Sequence, residues 1–383
     1  MSQFRKQAIG SLCSRVCSGG TPKSSVAEYY GGDIPWLNTK EVNFNRIYGT
    51  ENSITQIGLD NSSAKWIRAN TVIVAMYGAT AGRAAICKVP LTTNQACCNL
   101  EIDERKADYR FVYYAICNNY TRLALAANGG AQQNLNAQMI KAFEIPLPSL
   151  SIQYKIAAIL SSLDDKIENN NAIRKNLEEQ ALICFCQTFI ESASNKASRP
   201  IYEFAEFING SSFRQSELTY EGLPIIKIGE LKAGISATTL RYSGDICKKV
   251  LINDGDILFS WSGNPQTSID VFIWCGGSGV LNQHIFKVKS LFDCPWFTYL
   301  LLKYLMPQFV SIASDKQTTG LGHVTAGDLK RLKFPHDLGK MQSFESTIAP
   351  IMLGVYNSML ENVKLLSLRD TLLPKLMRGE IDI

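Results

Sequence analysis

Residues 149–180 have the sequence SLSIQYKIAAILSSLDDKIENNNAIRKNLEEQ and follow a Pro-Leu-Pro segment at 146–148. Apolar side chains recur in this stretch at spacings of four and three residues, at Ile156, Leu160, Leu163 and Ile167. Side chains at these spacings share one face of an α-helix, and no proline interrupts residues 149–199. The stretch therefore predicts a long helix, placed at residues 151–193, with one apolar stripe.

A second stretch with the same pattern is predicted to be helical over residues 339–383. Its apolar stripe consists of Phe344, Ile348, Ile351, Val355 and Met359. Pro350, with Gly354 one turn later, predicts a kink in this helix or a fresh start, because proline removes a backbone hydrogen bond and clashes with the preceding turn.

The two stripes have two possible uses. A lone amphipathic helix usually flanks its own domain, which is the alternative for each helix. Two equivalent helices in one chain can instead bury their stripes against each other, and this favours an antiparallel coiled-coil pair. A buried amide among Asn169–Asn171 or at Asn362 would fix the register of that pair, with surface placement as the alternative. We assign these asparagines no role in a binding site.

The rest of the chain is also repeated, with an offset close to 189 residues. At an offset of 189, Pro35 matches Pro224, Glu41 matches Glu230, Ala137 matches Ala326, Lys141 matches Lys330 and Pro146 matches Pro335. Small insertions and deletions change the offset elsewhere. Gly20 and Gly32 match Gly210 and Gly222 at 190, Asn94-Gln95 matches Asn282-Gln283 at 188, and Ile156-Ala157 matches Ile348-Ala349 at 192. The chain is therefore one unit that occurs twice.

Each repeat begins with a part that we call a head. Short runs rich in Val, Ile, Phe and Trp between Gly, Asn and Pro are typical of strands, most clearly at 71–77 and 257–261. Aromatic-rich helices are predicted at 109–120 and 296–304. The predicted fold class is α+β, with two tandem α/β heads separated by two long antiparallel coiled-coil helices. The predicted domains are the first head at 1–150, the first helix at 151–193, the second head at 194–338 and the second helix at 339–383.

Composition indicates a folded chain of two or three units. The 383 residues are 46% hydrophobic and 19% charged, close to the globular average. No apolar run has the length of a signal peptide or a membrane span, which argues against export and a membrane location. The net charge of +5 permits binding to a polyanion but decides little by itself.

The cysteines favour ordinary buried thiols over a metal site. Eleven cysteines stand at irregular positions, and only three histidines accompany them. Cys13 and Cys17 lack a second ligand pair at a suitable distance, so no zinc framework is predicted. Reduced thiols suit the cytoplasm.

The order head, long helix, head, long helix resembles the specificity (S) subunits of type I restriction-modification enzymes. Gly20-Thr21-Pro22 with GDIPW at 32–36 looks like the opening of their target-recognition domains, and YGATAGR at 77–83 looks like the loop after a central strand. Asn94-Gln95 is similar to a later family motif. The strings PLP at 146–148, IAAILSSLD at 156–164, LRDTLLPKL at 368–376 and GEI at 379–381 resemble the family's helix entry and closing signature.

The resemblance implies a DNA-binding subunit without catalysis of its own. Such a subunit recognises double-stranded DNA at an asymmetric bipartite target and directs methyltransferase (M) and ATP-dependent restriction or motor (R) subunits. It implies no cofactor on this chain, with S-adenosylmethionine, ATP and Mg on the partner subunits. The sequence agrees, because no G-x-x-x-x-G-K-[ST] phosphate loop occurs and Asn264-Pro265-Gln266-Thr267 lacks an aromatic to stack on a flipped base. The alternative is a duplicated protein-interaction scaffold with a helical spacer.

Candidate DNA-binding residues lie in loops beside the predicted strands, where polar side chains would meet base edges in the major groove. In the first head they are Asn38, Lys40, Tyr77, Thr80, Arg83, Asn94, Gln95, Gln132, Gln133 and Asn134. In the second head they are Lys227, Trp261, Asn264, Gln266, Asn282, Gln283, His284, Thr318, Thr319 and His323. For any one of them the alternative is an ordinary surface or turn residue.

Three further expectations concern how these residues act. Lys40 and Lys227 are expected to contact phosphates. Asn94 and Asn282 occur in both heads and therefore suit a structural role better than recognition of different sequences. The second head has Ser262-Gly263-Asn264-Pro265 where the first has its Gly-Ala-Thr loop, so the half-sites should differ. A helix of about 35 residues spans roughly 50 Å, which predicts an unread spacer between the half-sites.

Overall fold

The structure is a computed structural model that describes residues 4–128, 134–191, 197–317 and 321–383. Gln132, Gln133, Thr318 and Thr319, which sequence reasoning proposed as DNA-binding, lie outside the described residues. The chain divides into two compact units. The first unit comprises Met1–Lys166 with Leu366–Ile383, and the second comprises Ile167–Leu365. Within the described residues, no helix is long and apolar enough to cross a lipid bilayer.

Short strands and short helices precede the first long helix. The strands are β1 (Arg5–Ala8), β2 (Cys13–Ser18), β3 (Tyr30–Leu37), β4 (Asn45–Ile47), β5 (Asn52–Ile54), β6 (Trp66–Ile67), β7 (Val72–Ala75), β8 (Ala84–Cys87), β9 (Leu91–Thr93), β10 (Cys97–Ile102) and β11 (Glu144–Leu147). The helices are α1 (Ile9–Leu12), α2 (Gln56–Asp60), α3 (Tyr109–Asn118), α4 (Tyr120–Asn128), α5 (Ala137–Ala142) and the long α6 (Leu150–Cys186). A π-helical turn, Gln187–Glu191, follows α6.

The second part of the chain has a similar series. Its strands are β12 (Ser198–Pro200), β13 (Ala205–Asn209), β14 (Leu223–Ile226), β15 (Arg241–Tyr242), β16 (Leu251–Ile252), β17 (Ile257–Ser260), β18 (Ser262–Gly263), β19 (Asp270–Ile273), β20 (Gly279–Leu281), β21 (Ile285–Ser290), β22 (Gly322–His323) and β23 (Lys333–Pro335). Its helices are α7 (Ile228–Ala233), α8 (Pro265–Ser268), α9 (Pro295–Tyr304), α10 (Met306–Asp315), α11 (Ala326–Arg331) and the long α12 (Leu338–Arg378).

The two units repeat the same sheet topology. The first has a five-stranded sheet in the order β2-β10-β7-β8-β4, and the second a four-stranded sheet in the order β13-β21-β17-β19. A further, four-stranded sheet has the order β5-β3-β9-β6 in the first unit and β15-β14-β20-β16 in the second, and the remaining sheets are two-stranded. Its central pair is parallel in both units, β3 with β9 and β14 with β20. The predicted α+β duplication is therefore confirmed.

Side chains that alternate between the two faces of strand β7 explain how the core of the first unit is built. Val72 and Val74 face a cluster that includes residues of α3, whereas Ile73 and Ala75 face the opposite cluster between the sheets. This is the two-residue period of a strand that is buried on both faces. Both long helices complete the core, because Ile156 and Leu160 of α6 and Leu376 and Met377 of α12 are buried in the first cluster.

An aromatic cluster forms the core of the second unit. The Phe185 ring of α6 lies 5.6 Å from the rings of Phe297 and Phe334 and 5.9 Å from that of Phe344, measured between centroids. These rings come from α9, β23 and α12, so one side chain of the long helix joins three other elements. Aromatic pairs at these separations stabilise a core beyond the area that they bury.

The long helices are antiparallel within each unit. In the first, Arg369 Nη1 donates a hydrogen bond of 3.0 Å to Asp164 Oδ1. In the second, Asn170 Nδ2 donates one of 2.9 Å to Asn362 Oδ1, and Phe185 packs on Phe344. Residue numbers rise along α6 as those of its partners fall along α12, so the predicted antiparallel coiled coil is confirmed.

Helix α12 runs without interruption through Pro350, so this proline does not start a new helix. Pro350 itself is exposed, whereas Ile348 and Met352 on either side are buried in the aromatic core of the second unit. Tertiary packing of this apolar face offsets the weak helix propensity of proline.

Candidate nucleic-acid interface

Three strand ends meet at one edge of the first unit. Strand β3 is followed by Asn38, β9 by Asn94 and β7 by Met76 and Tyr77. The Asn94 N–H donates to the Leu37 carbonyl at 2.9 Å, and the Met76 N–H donates to the Ala96 carbonyl at 2.8 Å. The fold thus brings together candidate residues from three separate segments.

The two asparagines at this edge hold the loops together. Asn94 Nδ2 donates to Asn38 Oδ1 at 3.2 Å, and Asn94 Oδ1 accepts the Ala96 N–H at 3.1 Å. The Asn38 N–H donates to Glu41 Oε1 at 3.0 Å, which fixes the short 3₁₀ turn at Thr39–Glu41. These contacts agree with the structural role that sequence reasoning favoured for Asn94.

Gln95 and Lys40 are exposed on either side of these asparagines. Gln95 Oε1 accepts a hydrogen bond from the Thr21 hydroxyl. Lys40 Nζ forms an ion pair of 2.5 Å with Glu51 Oε2, and the hydrogen bond from Lys40 to Glu51 raises the pKa of Lys40. Exposed ion pairs are weak, so this one leaves the ammonium group able to exchange Glu51 for another anion.

The Tyr77–Arg83 loop has an exposed end and an anchored end. Tyr77 is 40% exposed, and Thr80 lies in the 3₁₀ turn Gly78–Thr80. Arg83 is half-buried, and its Nη1 donates to Asn43 Oδ1 at 2.7 Å. Gly82 adopts a φ of +83°, and a Cβ there would lie 3.3 Å from Leu123 Cβ, so glycine suits this close packing. The exposed Tyr77 end is thus the part of the loop that is better placed to meet a ligand.

Asn134 lies beside the same loop. The N–H of the next residue, Leu135, donates to the Met76 carbonyl at 3.1 Å. Asn134 itself is exposed. The described candidates of the first unit therefore belong to one connected surface, with Arg83 at its anchored margin.

The second unit brings the equivalent three strand ends together. Lys227 follows β14, Asn282 follows β20 and Trp261 follows β17. The Asn282 N–H donates to the Ile226 carbonyl at 3.0 Å, and the Trp261 N–H to the His284 carbonyl at 3.3 Å. The repeat therefore extends to the backbone hydrogen bonds that build the edge.

Trp261 is braced on several sides. Its ring stacks on Phe286, with centroids 5.5 Å apart and planes at 28°. Its Nε1 donates to Asn209 Oδ1 at 3.2 Å, and the exposed His284 ring lies 5.8 Å away. Because these contacts fix the half-buried indole, it offers a rigid apolar surface beside a polar ring.

Asn264 has a clear local function. Its Oδ1 accepts the N–H groups of Gln266 at 3.0 Å and Thr267 at 3.2 Å, and Pro265 occupies the first helical position of α8. An N-cap asparagine followed by proline is a common helix start. The side chain of Gln266 is exposed on this short helix.

His323, Gln283 and Lys227 complete the described candidates. His323 pairs with Ser262 between β22 and β18, and the Val324 N–H donates to the Trp261 carbonyl at 2.8 Å. Gln283 Nε2 lies 3.3 Å from His284 Nε2. Lys227 is exposed. These contacts place His323 and His284 at the two flanks of Trp261.

Several residues that sequence reasoning missed contact the candidates. They are Thr21 beside Gln95, Asn43 beside Arg83, Asn209 beside Trp261 and Ser211 beside Gln283. Thr21 and Ser211 follow the repeated Gly20 and Gly210, so the repeat contained a signal for them. No sequence pattern indicated Asn43 or Asn209, because their contacts depend on tertiary structure.

Comparison with known proteins identifies the family. A family model described as the type I restriction modification DNA specificity domain matches residues 1–179 and 194–336. The type I restriction enzyme MjaIX specificity subunit of Methanocaldococcus jannaschii is 28% identical over 401 residues, which cover 96% of this chain and 91% of that protein. A putative type I specificity subunit of Mycoplasma genitalium is 31% identical over 277 residues, 68% of this chain and 69% of that protein.

A solved structure has the same fold. The crystal structure of the S subunit of a type I restriction-modification system from M. genitalium gives a TM-score of 0.58 at 18% identity, covering 98% of this chain and 96% of that chain. The two matched segments correspond to the two repeats, and the scaffold alternative is not favoured. The chain therefore belongs to the family of type I restriction-modification specificity subunits, and its function is recognition of the DNA target.

Proposed function

We propose that the two units recognise different short sequences, which form an asymmetric bipartite target with an unread spacer. The observation that carries this proposal is that equivalent strand ends present unlike side chains. Tyr77 corresponds to Ser262, Ala96 to His284 and Asn38 to Lys227, on equivalent strand ends of similar sheets. Equivalent scaffolds with unlike surfaces select different base patterns, whereas two identical units would select the same pattern twice.

The exposed polar groups supply the chemistry of recognition. Glutamine and asparagine amides pair with adenine, and hydroxyl or imidazole groups serve as donors or acceptors to other base edges. Exposed examples are Gln95 and Asn134 in the first unit and Gln266 and His284 in the second. Lysines such as Lys227 would contact phosphates and fix orientation.

We propose further that this chain supplies target recognition without catalysis. Methyltransferase and ATP-dependent endonuclease subunits would assemble with it and perform methylation and cleavage. S-adenosylmethionine, ATP and Mg would then be held by those subunits, and this chain would bind no cofactor. The sequence supports this division, because it contains no G-x-x-x-x-G-K-[ST] phosphate loop.

The test compares the chain alone, its methyltransferase partner alone, and the two together on a library of random duplex DNA. We expect methylation only by the complex, at a sequence split into two unlike halves. Binding should weaken steeply with salt, since phosphate contacts release counterions. Methylation by the purified chain alone would contradict the division of roles, and a methylated sequence with two matching halves would contradict the asymmetric target.

A further inference from the structure

Gln95 and Gln283 occupy the same place in the two units. Each follows the asparagine that comes directly after the parallel strand β9 or β20. The carbonyl of that asparagine accepts an N–H from three residues later, at 3.2 Å from Cys97 and at 3.1 Å from Ile285. Both glutamines are exposed on this tight turn.

A glycine-containing turn packs closely against each glutamine turn. A Cβ at Gly19 would lie 2.0 Å from the Thr93 carbonyl oxygen, and a Cβ at Gly210 would lie 2.2 Å from the Asn282 carbonyl oxygen. Only glycine permits this approach in either unit. The approach places a small hydroxyl residue beside each glutamine.

The hydroxyl residues are Thr21 and Ser211. The Thr21 hydroxyl donates to Gln95 Oε1, and the Ser211 carbonyl accepts the Gln283 N–H at 2.9 Å. An exposed cation follows shortly in each segment, Lys23 in the first unit and Arg214 in the second. In each unit an exposed glutamine thus contacts a segment that carries a hydroxyl residue and, two or three residues later, an exposed cation.

A shared internal contact does not explain why glutamine occurs in both units. Gln95 binds a hydroxyl on the neighbouring turn, whereas Gln283 lies beside His284 of its own turn. The two units differ at the neighbouring strand ends, where Met76-Tyr77 in the first unit corresponds to Trp261-Ser262 in the second. The two units recognise unlike base sequences, but both contact the same phosphodiester backbone. An exposed residue that both units share is therefore better suited to contact the backbone than to contact bases.

We propose that Gln95 and Gln283, each with its neighbouring hydroxyl and cation, form one phosphodiester-binding site in each unit. The proposal rests on DNA recognition by both units. The amide hydrogens donate to non-bridging phosphate oxygens, the Thr21 hydroxyl orients the Gln95 amide through its bond to Oε1, and the cation adds attraction at longer range. These sites position the duplex, while other side chains recognise its base sequence.

The test uses Gln95→Glu and Gln283→Glu in the complete chain bound to its methyltransferase partner. Affinity is measured for two duplexes, one with the mapped methylation target and one with both halves scrambled. A carboxylate keeps the shape of the amide but repels a phosphate, so each variant should weaken binding to both duplexes by about tenfold. The ratio of the two affinities should not change.

Gln342→Glu is the matched control. Gln342 is exposed on α12 and lies outside the glutamine turns, so the same change in charge should leave both affinities unchanged. Lys23→Ala adds an independent measurement, since loss of one phosphate contact should reduce the slope of log affinity against log salt by about 0.9.

Two results would overturn the proposal. If a glutamate variant weakens binding to the target duplex alone, or changes the methylated sequence, that glutamine contacts bases. If both variants bind as the unaltered complex does, neither glutamine contacts DNA. Failure of the unaltered complex to distinguish the two duplexes would instead count against the proposed function.

Discussion

Asp328 is the most heavily bonded carboxylate that we find in the described part of the second unit. Its buried oxygens accept the Thr325 N–H and hydroxyl, each at 2.7 Å, and ion pairs from Lys316 and Arg331. Burial acts to raise the pKa of Asp328, but the hydrogen bonds from Lys316 and Thr325 outweigh it and hold the pKa well below its ordinary value. The group therefore joins α10 to the start of α11.

Asp328→Asn should destabilise the second unit by about 3 kcal/mol, because the buried side chain loses its charge-assisted hydrogen bonds from Lys316 and Arg331. A lowered pKa means that the carboxylate stabilises the fold above its ordinary pKa, and that this contribution is lost as the pH falls toward the lower folded value. Thermal unfolding measured from neutral to acidic pH should show less acid sensitivity in the variant. Asp315→Asn, at an exposed position on α10, is the control and should unfold as the unaltered chain does.

Glu345 and Gln153 perform the same task in the two units. Gln153 Oε1 accepts the Asp108 N–H at 3.0 Å, and Glu345 accepts the N–H groups of Trp296 at 3.1 Å and Phe297 at 2.8 Å. Each thus satisfies the first turn of an aromatic helix from the start of a long helix. Burial raises the pKa of Glu345, although the two backbone hydrogen bonds lower it in part.

Glu345→Gln should shift the pH dependence of stability. A raised pKa means that burial of the charged carboxylate opposes folding progressively as the pH rises through its titration range. The amide loses one acceptor at every pH but carries no charge, so its melting temperature relative to the unaltered chain should increase from acidic to neutral pH. A constant difference across the titration would contradict this account. The exposed Glu179→Gln provides a control on α6.

The seam between α6 and α12 contains a polar cluster. Asn170 is 2% exposed and Asn362 is 9% exposed. Asn170 Nδ2 donates to Asn362 Oδ1 at 2.9 Å and to Glu361 Oε2 at 2.8 Å, and Asn362 Nδ2 donates to Asn171 Oδ1 at 3.1 Å. Asn170 and Asn362 are equivalent at the offset of 192 residues. Such a cluster favours one register of a helix pair over shifted ones.

Asn362→Leu should destabilise the helix pair by about 1–2 kcal/mol, because part of the buried Asn170 amide loses its partner. Asn170→Leu combined with Asn362→Leu should recover most of that loss, since two leucines restore an apolar seam. A double-mutant cycle of thermal unfolding measures the coupling. Additive effects of the two substitutions would contradict the direct contact.

Local sequence patterns predicted the helices and strands well, but they did not predict which strands pair, because pairing joins residues that are distant in sequence. The Val72–Ala75 run and the stripe through Ile156 and Leu160 are local signals, and the structure confirms β7 and α6. The parallel pairing of β3 with β9 and the β18–β22 pair join distant segments, which periodicity does not indicate. Strand periodicity specifies which face is buried but leaves the partner strand open.

The candidate interface likewise contains residues that local sequence patterns predict and contacts that they do not. Residues within two positions of a strand end, such as Tyr77, Asn94 and Trp261, could be found from sequence because strand ends are local features. The cap formed by Asn264 is also local, but it gives that residue a structural task besides any DNA contact. Which of these residues contact bases stays a prediction.

Each unit contains segments from both long helices. The first unit includes Leu366–Ile383, and Leu376 and Met377 are buried in its core. A chain stopped after Leu365 should therefore lose at least about 3 kcal/mol of apolar burial from the first unit. Hydrogen exchange should accelerate at 1–166 and change little at 167–365. Equal acceleration in both units would contradict this division.

A substitution in one unit should alter only one half of the DNA target. Gln266 is exposed on α8 of the second unit, so Gln266→Ala should relax preference at one or two base pairs of a single half, by about 1–3 kcal/mol per lost contact. Methylation mapping with the variant complex provides the measurement. Changes in both halves would show that the two units do not recognise DNA independently.

The discontinuous first unit also affects how the protein is made. Residues 1–166 leave the ribosome first, but the helix segment that covers their core begins at Leu366. At about 5–20 residues per second, translation of the intervening chain takes roughly 10–40 s. During that time the nascent first unit exposes the apolar surface that Leu376 and Met377 later cover, and exposed apolar surface of this kind is what chaperones bind. The second unit is continuous, so its synthesis is complete before that of the first unit.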